Sequence, residues 1–249
     1  MSNLEGDAGS GIGILDESTS ASDKAKYVQK MFDDISLRYD FLNTALSAGL
    51  HWRWRSFATR CAAICAGDDV LDVCSGTGEW AADLRRTVGA NGSVTAVDFS
   101  FGMLQTGLPR FTRFRAVPLQ ADALCLPFVD NVFQAATVAF GIRNVADVHA
   151  AFAEMARVVR PGGRVVCLEF SQVEQRAFKA IYEIYSRFIM PRIGGIFSSR
   201  PEAYSYLPES VVRFKTKSEL AEIMESCGLR PVRVVTMMFG LVAIHVGVK

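Results

Sequence analysis

Apolar residues along this chain alternate between short continuous runs and helical spacing. The run VLDVC at 70–74 ends in a glycine-containing turn, and apolar positions then recur at helical intervals as far as Val88. The alternation continues, with strands predicted at 93–98, near 117, at 132–140 and at 164–170, and helices at 101–108 and 147–159. Strands that alternate with helices in this way predict a parallel sheet covered on both faces.

Different patterns lie on either side of this sheet. Residues 24–66 form a predicted helical prelude, broken near Gly49. After the sheet come, in order, a predicted helix at 173–190, an irregular insertion at 190–210, a helix from Ser218, and two apolar runs at 230–236 and 241–248. A short turn joins the two runs, which predicts an antiparallel hairpin at the sheet edge. We expect one α/β domain over 24–249.

Composition adds limits to this picture. Residues 1–23 are rich in Gly, Ser, Asp and Glu, so we expect a disordered tail. Lys and Arg number 27 against 26 Asp and Glu, a balance that gives no overall field for binding nucleic acid. No stretch approaches the roughly 18 apolar residues of a membrane span, and no signal peptide is evident. The six scattered cysteines are typical of free thiols, so we expect a cytoplasmic protein.

The turn after the first strand is the first candidate for chemistry. Asp72 precedes Gly76 and Gly78, and the glycines allow a ligand to approach the backbone closely. A dinucleotide fingerprint needs a third glycine, where this chain has Ala81, although alanine is sometimes accepted there. The Asp72 carboxylate would repel a pyrophosphate but not a cofactor with an ammonium and a sulfonium. The loop therefore favours S-adenosylmethionine and leaves a nicotinamide-dependent oxidoreductase open.

Two further acids follow strands of the same predicted sheet. Asp98 ends the second strand, in the position where an acid binds both ribose hydroxyls of an adenosine. Asp122 follows the third strand, where it can accept a hydrogen bond from an adenine amino group. Each acid alone is also compatible with an ordinary turn. Together with the glycine loop, they predict an adenosine-binding site.

Eight motifs carry a resemblance to known enzymes. Segments 72–78, 97–104, 122–128 and 160–163 look like class I methyltransferases in general. Four narrower segments are FDDISLRYDFLN at 32–43, SAGLHWRWR at 47–55, FGIRNV at 140–145, and YLPESVVRF at 206–214 with AIH at 243–245. In order and spacing, the set resembles the ubiquinone/menaquinone biosynthesis C-methyltransferases, the UbiE/MenG family, from about Lys26 onward.

The resemblance implies a Rossmann-like class I methyltransferase fold, with a mostly parallel seven-stranded sheet, and S-adenosylmethionine as the cofactor. It places the cofactor contacts on Thr77, Asp98, Asp122 and Ala123, with Gly76 and Gly78 shaping the loop. The chain departs from the family pattern at two positions. Glu79 stands where Asp is commoner, and Trp52 stands where Arg usually follows the histidine, which removes a cation near the expected substrate entrance.

A family of this kind implies methylation of a ring carbon in a prenylated quinol, with demethylmenaquinol as the expected substrate. The reduced ring is needed because its phenolate pushes electron density onto the adjacent carbon. Arg143 is expected to stabilise that phenolate, Asn144 to orient it, and Tyr39 to hydrogen-bond the ring or relay a proton. The alternatives are a structural ion pair for Arg143, a helix cap for Asn144 and a pocket wall for Tyr39.

A lipid-resident substrate further implies peripheral contact with the inner face of a membrane. The insertion at 190–210 is the expected substrate-side lid, since it mixes Ile196 and Phe197 with arginines. We expect no metal and no nucleic acid, and a homodimer or a biosynthetic complex stays open. Two other functions also stay open: methylation of another small aromatic or lipid substrate, and a non-catalytic S-adenosylmethionine-binding subunit.

Overall fold

A computed structural model describes residues 21–173, 175, 178, 185 and 210–249. The predicted tail up to residue 20, most of the predicted helix at 173–190 and the insertion at 190–209 lie outside the described residues. Within the described part, α1 begins at Ala21, so the helical prelude starts slightly earlier than the predicted boundary. No helix among the described residues is long and apolar enough to cross a membrane.

The strands form one seven-stranded sheet in the order β3-β2-β1-β4-β5-β7-β6. Their bounds are β1 Asp69–Val73, β2 Ser93–Asp98, β3 Val117–Gln120, β4 Phe133–Ala139, β5 Val159–Phe170, β6 Val232–Met237 and β7 Val242–Val248. The first five strands are parallel, whereas β7 is antiparallel to both β5 and β6. The predicted fold class, including the terminal antiparallel hairpin, is confirmed.

Helices cover the sheet in the alternation that the sequence predicts. Their bounds are α1 Ala21–Ser47, α2 Leu50–Ala62, α3 Glu79–Val88, α4 Phe101–Phe114, α5 Val148–Val158 and α6 Lys217–Ser226. The break between α1 and α2 falls at Ala48 and Gly49, which both have positive φ, so the first helix cannot continue through them. Asp147 caps α5 by accepting a hydrogen bond from the amide of Ala150.

Helix α4 corrects one prediction. Its pattern predicts an end at Leu108, before Pro109, yet the helix continues to Phe114. Proline removes one backbone hydrogen bond and disfavours a helix interior. Phe111 on the following turn is buried and packs against the glycine loop, and this tertiary contact outweighs the local preference.

Two apolar clusters, one on each face of the sheet, make up the core. One contains Trp54, Trp80 and Phe111, and the other contains Phe152, Met155 and Met224. Because β1 to β4 are parallel neighbours, their carboxyl ends lie along one edge of the sheet. The loops that follow these strands carry the candidate cofactor residues.

Candidate functional site

The glycine loop lies between the carboxyl end of β1 and the start of α3. Gly76 and Gly78 have φ values of 58° and 81°, in the left-handed region that side chains disfavour. The amide of Gly76 donates to Asp98 Oδ2 at 2.7 Å, and the amide of Ser100 donates to Oδ1 at 2.8 Å. The loop is therefore attached to the end of β2 through the carboxylate that the sequence assigns to ribose binding.

A cavity opens beside this loop. Four of the predicted cofactor residues, Gly76, Asp98, Asp122 and Ala123, lie on its wall. The remaining lining is largely aromatic and aliphatic, and it includes Val28, Phe32, Tyr39, Met103, Phe140 and Val145. An acidic rim beside an apolar interior suits an adenosyl group that carries positive charges nearby, so the residues fit S-adenosylmethionine.

Three other predicted cofactor residues lie next to the cavity and not on its wall. Asp72 is buried beneath the loop, where it accepts hydrogen bonds from the hydroxyls of Ser75 at 2.7 Å and Thr137 at 2.9 Å. Thr77 donates its hydroxyl to Asp40 at 2.5 Å. Asp72 thus shapes the loop from below, and Thr77 joins it to α1. Direct contact of these side chains with the cofactor stays a prediction.

Gly78, the third of these residues, lies where α4 packs against the loop. A Cβ atom at this position would come within 2.3 Å of the Phe111 ring. Glycine is therefore needed here for two reasons: it adopts the positive φ, and its lack of a side chain permits close packing of α4. The sequence indicates the flexible loop but not this contact.

Burial raises the pKa values of both acids that flank the loop. The pKa of Asp72 rises to about 6, although its hydrogen bonds from Ser75 and Thr137 oppose the shift. The pKa of Asp98 also rises to about 6 through burial, opposed by the Ser100 and Gly76 amides. Protonation of these acids near pH 6 would remove the negative charge that attracts a cationic cofactor.

Helix α1 lies across the cavity and is attached at three places. Gln29 donates to the carbonyl of Phe99 at 3.2 Å. Asp33 accepts from the amide of Gly102 at 3.0 Å. Asp40 accepts from Thr77 and pairs with Arg110 at 2.7 Å. The sequence did not predict that Asp33 and Asp40 attach α1 to the loops. The available signal was their seven-residue spacing, which equals that of Phe32 and Tyr39 on the cavity wall.

Of the three predicted catalytic residues, Tyr39 and Asn144 lie on the cavity wall. Burial raises the pKa of the Tyr39 phenol, while the Asn43 hydrogen bond and the charges of Arg55 and Arg143 oppose the shift. Tyr39 therefore stays protonated near neutral pH and can donate a hydrogen bond. Asn144 belongs to a short 3₁₀ helix, Ile142–Asn144, and the cap of α5 is Asp147, so the helix-cap alternative for Asn144 is wrong.

Arg143 forms a buried ion pair, which is the alternative role that the sequence leaves open for it. Its Nη1 lies 2.7 Å from Glu169 Oε1 and donates to the Phe140 carbonyl at 2.6 Å. The guanidinium carbon lies 5.7 Å from the centre of the Phe170 ring. Burial raises the pKa of Glu169, and the charge of Arg143 opposes that rise. The contact joins the loop after β4 to the end of β5.

A second buried polar cluster joins α1, α2 and α3. Nη1 of Arg55 lies 2.6 Å from His51 Nδ1 and 3.3 Å from Glu79 Oε2, and His51 Nε2 lies 3.3 Å from the Thr44 hydroxyl. Burial raises the pKa of Glu79, but His51, whose Nδ1 lies 3.3 Å from Oε2, and the charge of Arg55 lower that pKa by more, so the net shift is downward. His51 therefore has a structural role between the three helices.

The two departures from the family pattern contact each other in this cluster. Trp52 Nε1 donates to Glu79 Oε1 at 3.3 Å. The presence of both unusual residues in the same chain was the signal from which this contact could have been predicted. The indole satisfies an oxygen of a carboxylate that Arg55 already partly neutralises.

The described residues contain no group of three or more His, Cys, Asp or Glu side chains arranged to hold a metal ion. The six cysteines are free, and Cys167 is fully buried in β5.

Comparison with known proteins decides the family. The model of the ubiE/COQ5 methyltransferase family matches residues 19–249. The chain belongs to the ubiE/COQ5 methyltransferase family. This methyltransferase is 38% identical over 232 residues to a demethylmenaquinone methyltransferase of Staphylococcus haemolyticus, covering 93% of this chain and 97% of that protein. It is 41% identical over 223 residues to the enzyme of that name from Staphylococcus aureus strain JH9, covering 89% and 92%.

Solved structures agree on the fold. A SAM-dependent methyltransferase from Thermotoga maritima superposes with a TM-score of 0.65 at 17% identity, covering 89% of this chain and 99% of that one. Phosphoethanolamine N-methyltransferase 2 of Haemonchus contortus, in complex with S-adenosyl-L-methionine, gives 0.60 at 16% identity, covering 88% and 60%. The chain is an S-adenosylmethionine-dependent methyltransferase, as predicted, which decides against the nicotinamide-dependent and non-catalytic alternatives.

We expect Asp98→Ala to weaken S-adenosylmethionine binding by about 1.5 to 3 kcal/mol, since the ribose loses a charged acceptor. The loop also loses the acceptor for the Gly76 amide. Because the pKa of Asp98 is about 6, affinity should fall as the pH drops below 6, approaching about tenfold per pH unit. Calorimetry across pH on wild type, Asp98→Ala and Asp98→Asn measures both effects. An unchanged affinity in Asp98→Ala would remove Asp98 from the site.

Proposed function

We propose that this methyltransferase methylates a ring carbon of a prenylated quinol, with demethylmenaquinol as the substrate. Two relatives named demethylmenaquinone methyltransferase align over almost their whole length and support this assignment. The observation that carries it is the cavity itself. Its acidic rim suits the cofactor, and its walls of Phe32, Tyr39 and Phe140 suit an aromatic ring.

S-adenosylmethionine, when bound, supplies an electrophilic methyl group. The protein must then orient the quinol and favour its phenolate, whose electron density moves onto the adjacent ring carbon. That carbon would gain the methyl group with S-adenosylhomocysteine as the leaving group, and its proton would pass to solvent water, which restores the aromatic ring. The protonated Tyr39 phenol can donate to a substrate oxygen, and the side chain of Asn144 lies on the same wall.

We propose that Arg143 contributes positive potential from behind this wall. Its guanidinium is bound to Glu169, but its charge still reaches Tyr39 and lowers the pKa of that phenol relative to burial alone. A permanent cation at this place favours a phenolate that develops on the substrate oxygen bound by the Tyr39 hydroxyl. In this proposal, Tyr39 and Asn144 touch the substrate, and Arg143 is a positioning residue that acts through its charge.

The substrate also suggests where the enzyme works. A prenylated quinol resides in a bilayer, so we propose peripheral contact of a cytoplasmic enzyme with the membrane. The lid predicted at 190–210 lies outside the described residues, apart from Ser210, whose hydroxyl accepts from Arg143 Nε at 3.3 Å. A homodimer or a biosynthetic complex stays a prediction.

The test is incubation of the enzyme with isotopically labelled S-adenosylmethionine and a panel of reduced acceptors. The panel contains demethylated naphthoquinols and benzoquinols with short and long prenyl chains, together with simple phenols. We expect label in the ring of the naphthoquinols, identified by mass spectrometry, and none in the oxidised quinones. Preferential labelling of an unrelated phenol or lipid would replace the proposed substrate class.

A further inference from the structure

Three large apolar side chains are exposed on the outer side of the N-terminal helices. Leu37 and Phe41 lie about one turn apart on α1, and Trp52 lies on α2. Their exposed fractions are 88%, 53% and 54%. Phe41 and Trp52 also line one open groove, together with Phe114 at the end of α4. These residues therefore form one surface and are not scattered singly.

Helix α1 connects this surface to the substrate cavity. Phe32 and Tyr39 lie on the cavity wall, whereas Leu37 and Phe41 are directed to solvent. One face of α1 thus lines the substrate cavity, and the opposite face forms part of the exposed surface. Whatever binds the outer face lies one helix diameter, about 10 Å, from the candidate site.

Arginines accompany the apolar side chains of the surface, and the acids that line the same groove, Asp40, Glu79 and Asp83, are each paired with an arginine. The guanidinium carbons of Arg86 and Arg113 lie 4.4 Å and 5.4 Å from the centre of the Phe114 ring. Arg86 is more than half exposed and pairs only loosely with Asp83, at 3.8 Å. Such side chains can extend their charge to lipid phosphates while their stems cover apolar groups.

We propose that this surface, the α1–α2 face, binds the interface of a lipid bilayer that contains anionic phospholipids. It consists of Leu37, Phe41, Trp52, Phe114, Arg86 and Arg113. The proposal rests on the proposed function, because a prenylated quinol has to be taken from lipid. The protruding apolar side chains alternate with charges, which is typical of interfacial helices, whereas the core of a protein interface is depleted of charge.

The test compares flotation of the full chain with vesicles of mixed phosphatidylglycerol and phosphatidylethanolamine. The variant L37Q/F41Q removes apolar area while keeping helix-compatible residues. The matched control is V129Q/V234Q, since Val129 and Val234 are also exposed but lie in the loop before β4 and on the edge strand β6, away from this face. We expect L37Q/F41Q to partition into vesicles at least about tenfold less, and the control to behave as wild type.

Activity separates this proposal from the proposed function. Both variants should methylate a short-chain, soluble demethylated naphthoquinol at the wild-type rate, while L37Q/F41Q alone should lose activity on the prenylated quinol in vesicles. Equal flotation of L37Q/F41Q and wild type, or no flotation of wild type, overturns the membrane surface. So does a wild-type dimer in sedimentation that L37Q/F41Q dissociates. Reduced flotation of L37Q/F41Q supports the surface even if no quinol is methylated, a result that would contradict only the proposed function.

Discussion

We expect Arg143→Ala to lower the single-turnover rate by about tenfold or more, because the positive potential that Arg143 provides behind the cavity wall shifts a phenol pKa by about one unit. Cofactor affinity should stay nearly intact, because Arg143 is not on the wall beside Asp98 and Asp122. Arg143→Lys should recover little, since an ammonium cannot contact Glu169 and the Phe140 carbonyl together and so would not hold its charge in the same place behind the wall. Rapid-quench single-turnover measurements with a soluble quinol measure the effect.

The ion pair with Glu169 makes a second effect unavoidable. Loss of Arg143 leaves a fully buried carboxylate without its cation, which costs on the order of 3–5 kcal/mol of stability for a buried pair. The already raised pKa of Glu169 limits this cost, because the acid can take up a proton in the variant. A fall in melting temperature is therefore expected in Arg143→Ala under either role.

The double variant Arg143→Ala/Glu169→Gln separates the two roles. Replacing the carboxylate by an amide removes the uncompensated charge, so most of the lost stability should return. If Arg143 acts on the phenolate, turnover stays low in the double variant, and Glu169→Gln alone keeps a substantial rate. Recovery of turnover together with stability would instead make Arg143 purely structural and leave Tyr39 and Asn144 as the substrate-facing residues.

We expect Gly78→Ala to destabilise the protein far more than Gly162→Ala. Both glycines have almost the same positive φ, 81° and 80°, so an alanine at either position meets the strain of a positive φ, about 1–2 kcal/mol. At Gly162, a new Cβ meets nothing within 4 Å, whereas at Gly78 it comes within 2.3 Å of the Phe111 ring. Overpacking should therefore add about 1–3 kcal/mol in Gly78→Ala alone.

The clash should also reduce cofactor affinity, because Gly78 is two residues from the Gly76 amide that binds Asp98. Chemical denaturation and calorimetry on both alanine variants measure these effects. In Gly78→Ala/Phe111→Leu, the smaller side chain should restore part of the stability, with a coupling of about 0.5–3 kcal/mol between the two positions. Similar losses in the two single variants would show that φ alone decides, and that α4 packing does not matter.

The order and type of the elements could be predicted from the sequence because they depend on local spacing. Strand runs, helical periods and turn residues specify which segments pair or cover the sheet, and every predicted strand is present. The positions of Asp98 and Asp122 could be predicted for the same reason, since residues at or just beyond the carboxyl ends of parallel strands lie at the same edge of the sheet. The specific motifs then identified the family, which the comparison confirmed.

Contacts between side chains distant in sequence were decided only by the tertiary structure. Nothing local indicates that Arg143 pairs with Glu169, that Thr77 donates to Asp40, or that the Phe111 ring closes on Gly78. Each of these residues has several chemically suitable partners along the chain, and packing of the helices on the sheet selects one. The sequence by itself determined where the candidate cofactor loop lies, because the strand and the glycines that define it are local. The packing of the helices determined which residues of the loop face the cavity and which support it.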